Sequence, residues 1–337
     1  TQILAQNTNG NANYSLYANG ELVDSQSDVN FYNGFQFTNL TDNQYCELHI
    51  NQGDSSIIKK FTILVNNTTI ESMPGGLEDG INYNEDTSKA TLVLSAPHKD
   101  FIYVAGDFNF WSPTPEHAMK KDSNSEKFWI EIEGLESGET YTYQYWVSDL
   151  SPIDESPSLV KTADPFSTMV LSPFDDPWIP ETSYPNLPEY PYDFGIEREV
   201  TVLKTGQESY NWQVEDFEKP KEEDLIIYEV LIRDFDSERT FQNLIDRIDY
   251  FKDLNINAIE LMPVMEYEGN ESWGYNTAFH MSVDKFYGPE EKLKEFIDLC
   301  HQNGIAIIFD LVMNHVMGRS PMNRMWMNDP DGNGWGE

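Results

Sequence analysis

The chain has 337 residues, with 21 lysines and arginines against 58 aspartates and glutamates, a formal net charge of -37. A field of that sign repels phosphate backbones and anionic membranes, which excludes nucleic acid and acidic lipid as expected partners. Aromatic residues make up 13% of the chain, too many for a disordered acidic polymer, and the length suffices for two or three domains with their own cores.

A neutral ligand recognised by ring stacking fits both the charge and the aromatic content, and sugars are the commonest ligand of that kind. No run approaches the ~18 apolar residues of a membrane span, so no membrane insertion is expected. The opening TQILAQ lacks a basic segment followed by an apolar one, so no signal peptide is read in the given sequence. Cys46 and Cys300 lie far apart, and neither has a Cys or His partner at metal-ligand spacing. Both are expected to be buried small apolar groups.

Residues 1–75 read as a β-sandwich-like module. Phe31, Phe35 and Phe37, then 45–50, then 57–65 are short β-prone runs, separated by turn clusters such as Asn51-Gln52-Gly53-Asp54. The Asn-rich opening is expected to be a frayed end or a module cut short. No chemistry is read here.

Pro74-Gly75-Gly76 breaks the chain, and a second β module follows. Runs at 91–96, 101–105 and 128–132 read as strands, and 140–147 (TYTYQYWV) alternates as a strand with one buried face does. Between them lies Gly106-Asp107-Phe108-Asn109-Phe110-Trp111, and further on Ala163-Asp164-Pro165-Phe166. These pieces resemble the immunoglobulin-like modules that precede the catalytic barrel in starch- and glycogen-acting enzymes. The resemblance implies that Trp111 stacks on the apolar face of a sugar. Where such modules complete the platform with a second tryptophan, this chain has Ser-Asp-Leu-Ser-Pro at 148–152. Two readings of Trp111 stay open: a sugar platform, or a core residue of a module that props the barrel.

Six prolines fall within 173–191. Proline at that density disfavours both helix and central strand, so a stiff segment laid along a domain surface is expected, with Trp178 and several tyrosines as anchors. It completes a module spanning 82–196. A small hairpin is expected from 201–204 and 210–214.

Residues 221–337 change pattern. The apolar run 225–230 (LIIYEV) reads as a strand, and Phe241, Leu244, Ile245, Ile248, Phe251 and Leu254 form a helical face with Thr240 as its cap. Residues 256–262 are the next strand. Gly288-Pro289-Glu290 opens a helix whose face is Leu293, Phe296, Ile297 and Cys300, ended by Gly304. Residues 305–312 (IAIIFDLV) then read as a strand covered on both faces. Strand and helix in alternation imply a parallel sheet. A dinucleotide-binding sheet needs a glycine-rich turn after its first strand, and 231–236 (LIRDFD) has no glycine. The long connection 264–287 leaves the carboxyl end of the second strand, on the side of Asp310 and His315, where barrel enzymes carry their chemistry.

With those residues in place, the stretch resembles the amino-terminal part of the catalytic barrel of the alpha-amylase superfamily of retaining glycoside hydrolases. The matching pieces are Tyr228-Glu229-Val230, Arg233-Asp234-Phe235, Glu260-Leu261-Met262-Pro263, Ser272-Trp273-Gly274-Tyr275-Asn276, Asp284-Lys285-Phe286-Tyr287-Gly288 and Asp310-Leu311-Val312-Met313-Asn314-His315. The fold implied is two all-β modules followed by the first three strands of a (β/α)8 barrel.

The resemblance implies that Tyr275 stacks against the sugar whose bond is cleaved and that His315 bonds one of its hydroxyls. Asp310 would anchor an arginine from the next strand, and Asn314 would be a calcium ligand. A second calcium reading rests on Asp329, Asp331 and Asn333, oxygen ligands on alternate residues before a glycine. Retaining hydrolysis needs a nucleophile and an acid/base ~5 Å apart. The superfamily places them after its fourth and fifth strands, so neither is assigned to a residue of this chain.

A piece of an alpha-glucan hydrolase or transglycosylase, itself inactive, is therefore expected. The alternative is a non-catalytic alpha-glucan-binding protein. The substrate implied, starch, glycogen or maltodextrin, suggests a secreted, periplasmic or cell-surface location.

Overall fold

The computed structural model describes residues 1–152 and 156–326. They divide into two compact units, residues 1–67 with 114–118, and the remaining residues.

The first unit holds six strands: β1 (Gln2–Gln6), β2 (Ala12–Ala18), β3 (Glu21–Val29), β4 (Phe31–Gln36), β5 (Gln44–Gln52) and β6 (Ser55–Ile63). β1 pairs with β4, and the others form an antiparallel sheet in the order β3-β2-β5-β6. In β2 the side chains of Ala12, Tyr14, Leu16 and Ala18 turn inward, at the period of two that a strand imposes. They meet Tyr32, Phe37, Cys46 and Leu48 in one core. The Asn-rich opening forms strands, supplying β1 to β3. Asn19 and Gly20, both at positive φ, turn β2 into β3, with Ala18 facing Glu21. A two-residue Asn-Gly hairpin needs that geometry.

The second unit begins with β7 (Gly80–Tyr83), β8 (Lys89–Ser95), β9 (Phe101–Gly106), β10 (Lys120–Lys121), β11 (Lys127–Glu133), β12 (Tyr141–Ser148), β13 (Leu159–Thr162), β14 (Val170–Leu171) and β15 (Val200–Leu203). One antiparallel sheet runs β10-β11-β8-β7. The other is built on β12, flanked by β9, β13 and β15, with β14 beyond β15. Leu92 and Leu94 of β8 face Ile130 and Phe128 of β11 across the first sheet. Together with Ile102, Val104, Tyr143 and Tyr145 of the second sheet, they fill a shared core. Residues 210–214 form no strand; of the expected hairpin only β15 forms, paired with β12 and β14.

The Tyr-rich strand and the Ala163-Asp164-Pro165 exit meet at one buried carboxylate. Asp164 accepts from the hydroxyls of Tyr143 and Tyr145 at 2.9 and 2.8 Å and from Phe166 N at 2.8 Å. Burial pushes its carboxyl up to about 6, against the pull of those donors.

A parallel three-stranded sheet follows, β16 (Ile227–Val230), β17 and β20, with β17 spanning Ala258–Leu261 and β20 spanning Ala306–Phe309. Between β16 and β17 lie the helices α1 (Ile232–Phe235), α2 (Phe241–Asp246) and α3 (Ile248–Asp253). Between β17 and β20 come the hairpin β18 (Met265–Tyr267) with β19 (Thr277–Val283), then α4 (Glu290–Gln302). A last turn, α5 (Pro321–Arg324), follows β20. Thr240 caps α2 by accepting from Asn243 N. The single helix expected over 241–254 is broken at Arg247, but its apolar face survives. Phe241, Leu244 and Phe251 pack with Leu293, Phe296 and Cys300 of α4 on Ile259 and Leu261. Both cysteines are buried core groups, and burial pushes the Cys300 thiol up to about 12 and that of Cys46 up to about 11, away from the thiolate that reactivity needs.

The strand expected over 305–312 is shorter and less covered. β20 is one of the two edge strands of this sheet and its residues are half-buried to exposed. Leu311 and Met313 are exposed.

Candidate functional site

The parallel register places Glu229, Glu260 and Ile308 side by side on one face of the sheet, while Tyr228, Val230, Ile259, Leu261 and Ile307 pack on the helices. A period of two fixes this division. Asp310 follows directly after β20, its N–H bonded to Leu261 O at 3.0 Å. The open face of the sheet therefore leads up to it.

Tyr275 reaches the same place from the β18–β19 connection. Ser272 Oγ lies against Asn276 Oδ1 and accepts from Gly274 N at 2.9 Å. Gly274 sits at φ +90°, and a Cβ there would come 2.4 Å from Pro263 O. Only glycine fits that turn. Tyr275, 40% exposed, is thereby held over the strand ends, and its hydroxyl donates to Asp310 Oδ2 at 2.5 Å. That bond, followed by partial burial, pushes the Tyr275 phenol up to about 12.

His315 closes the group. Its Nε2 lies 2.6 Å from Tyr275 O, and its Nδ1 lies 2.9 Å from Asn314 Oδ1. A carbonyl oxygen only accepts, so Nε2 carries the proton. Nδ1 accepts from Asn314 when that amide turns its NH2 inward, and donates when the ring is charged. The structure thus brings together Tyr275, Asp310, His315 and Asn314. It offers an aromatic face, a carboxylate and an imidazole on one exposed rim, the equipment for holding a polyhydroxylated ring.

Asn314 lies against an imidazole and does not by itself make a calcium site. Among the described residues no three His, Cys, Asp or Glu side chains gather as metal ligands would. Asp329, Asp331 and Asn333 lie outside the described residues.

Trp111 is placed otherwise than a sugar platform requires. Phe110 and Trp111 occupy consecutive left-handed conformations, φ 52° and 57°, a strained arrangement for two aromatic residues. The strain turns Phe110 outward, 76% exposed, and Trp111 inward, 5% exposed. The indole donates to Asp107 Oδ1 at 3.0 Å, and Phe194 of the exit segment packs over it at 6.5 Å. Asp107 Oδ2 in turn accepts from Thr142 N at 2.5 Å and from its hydroxyl at 2.8 Å. Of the two readings of Trp111, the core residue matches the structure.

A buried charge cluster escaped the sequence reading. Lys285, 2% exposed, meets Glu266 through a short hydrogen bond and Asp176 of the proline-rich segment at 3.3 Å. Burial pulls the Lys285 ammonium down, but the two carboxylates outweigh it and leave it raised. Burial also pushes Glu266 up to about 7, against the pull of Lys285. The sequence signal was present, since Lys285 sits in a matched motif and Asp176 in a rigid stretch, but their meeting is a long-range fact.

Comparison with known proteins bears on the same region. Residues 232–326 match the family model "Alpha amylase, catalytic domain". The malto-oligosyltrehalose trehalohydrolase of Saccharolobus solfataricus is 38% identical over 107 residues, 32% of this chain and 19% of that protein. The 1,4-alpha-glucan branching enzyme GlgB of Bacillus subtilis is 28% identical over 253 residues, 70% of this chain and 35% of that enzyme. The chain therefore spans from about a fifth to about a third of the length of these relatives. Among solved structures, the "Putative alpha Amylase from Salmonella typhimurium" aligns with a TM-score of 0.55 at 19% identity, over 77% of this chain and 38% of that one. At that identity the likeness speaks for the fold.

Proposed function

We propose, from the match of residues 232–326 to the alpha-amylase catalytic-domain model, that the chain is part of a retaining glycoside hydrolase or transglycosylase acting on alpha-glucans. The first three strands of a (β/α)8 barrel, preceded by β modules over 1–75 and 82–196, form the architecture of this reading. The chain's own share of the work is to hold the glucan. Tyr275 covers the apolar face of the sugar at the cleavage point, His315 bonds a hydroxyl, and Asp310 fixes Tyr275 and stands ready for a cationic partner. Nucleophile and acid/base belong to further strands of such a barrel, and no carboxylate of this chain is promoted to either role.

One observation carries the reading: Tyr275, Asp310 and His315 converge within hydrogen-bond distance, 2.5 and 2.6 Å, at the strand ends. The trehalohydrolase and branching-enzyme names of the relatives support an alpha-glucan substrate. The rival reading, a module that binds glucan through Trp111, is not favoured, because that indole is buried. Calorimetric titration of the chain with maltoheptaose tests the proposal. Heat of binding that disappears in Tyr275→Ala supports it, and equal binding by the variant, or none by either, removes it.

A further inference from the structure

The two loops that carry the site are long, polar and partly exposed, yet both are tied to one residue outside the barrel segment. Asp175 lies in the proline-rich stretch and is 8% exposed. Its main-chain oxygen accepts from Asn270 Nδ2 at 2.9 Å, five residues before Tyr275. Its side-chain Oδ2 accepts from the Arg319 guanidinium at 2.5 Å, four residues after His315. The same guanidinium lies over the Phe174 ring at 4.6 Å, with Glu199 at 3.8 Å. A charge-assisted bond beside an aromatic face fixes the direction of the arginine as well as its position.

The two loops are also joined to each other behind the site. Arg319 N donates to Glu268 Oε1 at 2.8 Å, and Asn276 Nδ2 donates to Glu268 O at 2.7 Å. Met317 N donates to Thr277 O at 3.0 Å. The base of this bracket is stiff. Ser172 N donates to Asp176 Oδ2 at 2.8 Å, Ser172 Oγ to Asp175 Oδ2 at 3.2 Å, and Asp176 meets the buried Lys285.

We propose that Asp175 is a positioning residue for the glucan site: one aspartate of the exit segment clamps the Tyr275 loop through its carbonyl and the His315 loop through its carboxylate. It touches no substrate and acts through Asn270 and Arg319. The β module is then a working part of the site, because its exit segment sets the distance between ring and imidazole. This inference rests on the substrate-holding reading of Tyr275 and His315.

The test uses the full 337-residue chain as wild type, Asp175→Asn and Arg319→Lys. Asp175→Asn keeps the shape and the carbonyl bond to Asn270 and removes the charge. Arg319→Lys keeps the ion pair and loses the planar fork. Hydrogen exchange in Asp175→Asn is expected to quicken about tenfold at 314–319, where the carboxylate clamp is lost, and less at 270–276, which keeps its carbonyl bond, with β8 and β11 unchanged. The His315 ring resonances are expected to shift, and Arg319→Lys to fall between. Unchanged loops overturn the proposal, and so does equal quickening across the whole unit, the signature of a residue that only stabilises the fold.

Maltoheptaose titration of the same samples separates this idea from the reading beneath it. Wild type that binds no maltoheptaose removes the glucan site while the exchange data still decide the clamp. Wild-type affinity in Asp175→Asn overturns positioning even where the loops loosen.

Discussion

The hydroxyl of Tyr275 and the carboxylate of Asp310 meet at 2.5 Å, although one leaves the second strand of the parallel sheet and the other the third. The bond ties a partly exposed ring to the strand framework. It also predicts the ring's ionisation. The Tyr275 phenol is pushed up to about 12, chiefly because Asp310 accepts its hydrogen bond and favours the protonated form. With carbon-13 in tyrosine, the Tyr275 Cζ resonance should stay still as pH passes 10 in wild type. In Asp310→Asn the acceptor loses its charge and the midpoint should move back towards 10. A midpoint that ignores the substitution would show that the pair is not formed in solution.

Asp164 predicts a pH dependence of stability. Its carboxyl is raised from 3.8 to about 6, mainly by complete burial. Folding therefore favours the protonated form. The contribution is whole below 3.8 and is lost as pH rises through about 6. Between about pH 4 and about pH 7 wild type should lose ~3 kcal/mol more than Asp164→Asn, which cannot ionise. Urea midpoints across that range measure the difference, and parallel curves for the two proteins would contradict the assignment.

Trp111 and Phe110 separate packing from display. Trp111→Ala empties a buried site and should cost about 3–5 kcal/mol, read as a drop in the urea midpoint. Phe110→Ala, at a surface position, should change stability by less than ~0.5 kcal/mol. Similar costs for both would mean that the turn does not sort the two rings as described.

Gly274→Ala tests the turn beneath Tyr275. The added methyl meets Pro263 O at 2.4 Å on a backbone at φ +90°, so the turn must move. A loss of ~2–4 kcal/mol is expected. In the same variant the chemical shift of the Tyr275 ring should change. A variant with wild-type melting and an unmoved ring would show that the loop has more room than the structure allows.

How much of this was legible beforehand depended on the range of the interaction. Thr240 before Phe241 marked a helix start because capping is local. Ala306 to Phe309 stood out because an unbroken apolar run is visible in any window. β2 and β3 were missed because asparagine, serine and aspartate are poor strand formers; the Asn19-Gly20 turn was the clue that could have found them. Tyr275, Asp310 and His315 came from motif resemblance, and their convergence from the fold. Trp111 shows the opposite limit. Its motif was plain, but whether the indole faces solvent is decided by two left-handed residues and by Phe194, some eighty positions away, and no local pattern encodes that.

Lys285 has a consequence for how such a protein can be assembled from parts. One of its two carboxylates, Glu266, is carried by the β18–β19 hairpin, and the other, Asp176, by the stretch that leaves the sandwich. A parallel-sheet segment given a different module would keep a buried ammonium with one of its paired carboxylates gone, a defect costing ~3–5 kcal/mol when one member of a buried set is removed. The sandwich and the parallel sheet are therefore expected to melt in a single transition and to be inherited as a pair. Swapping the sandwich for another would have to carry residue 176 along with the parallel-sheet segment.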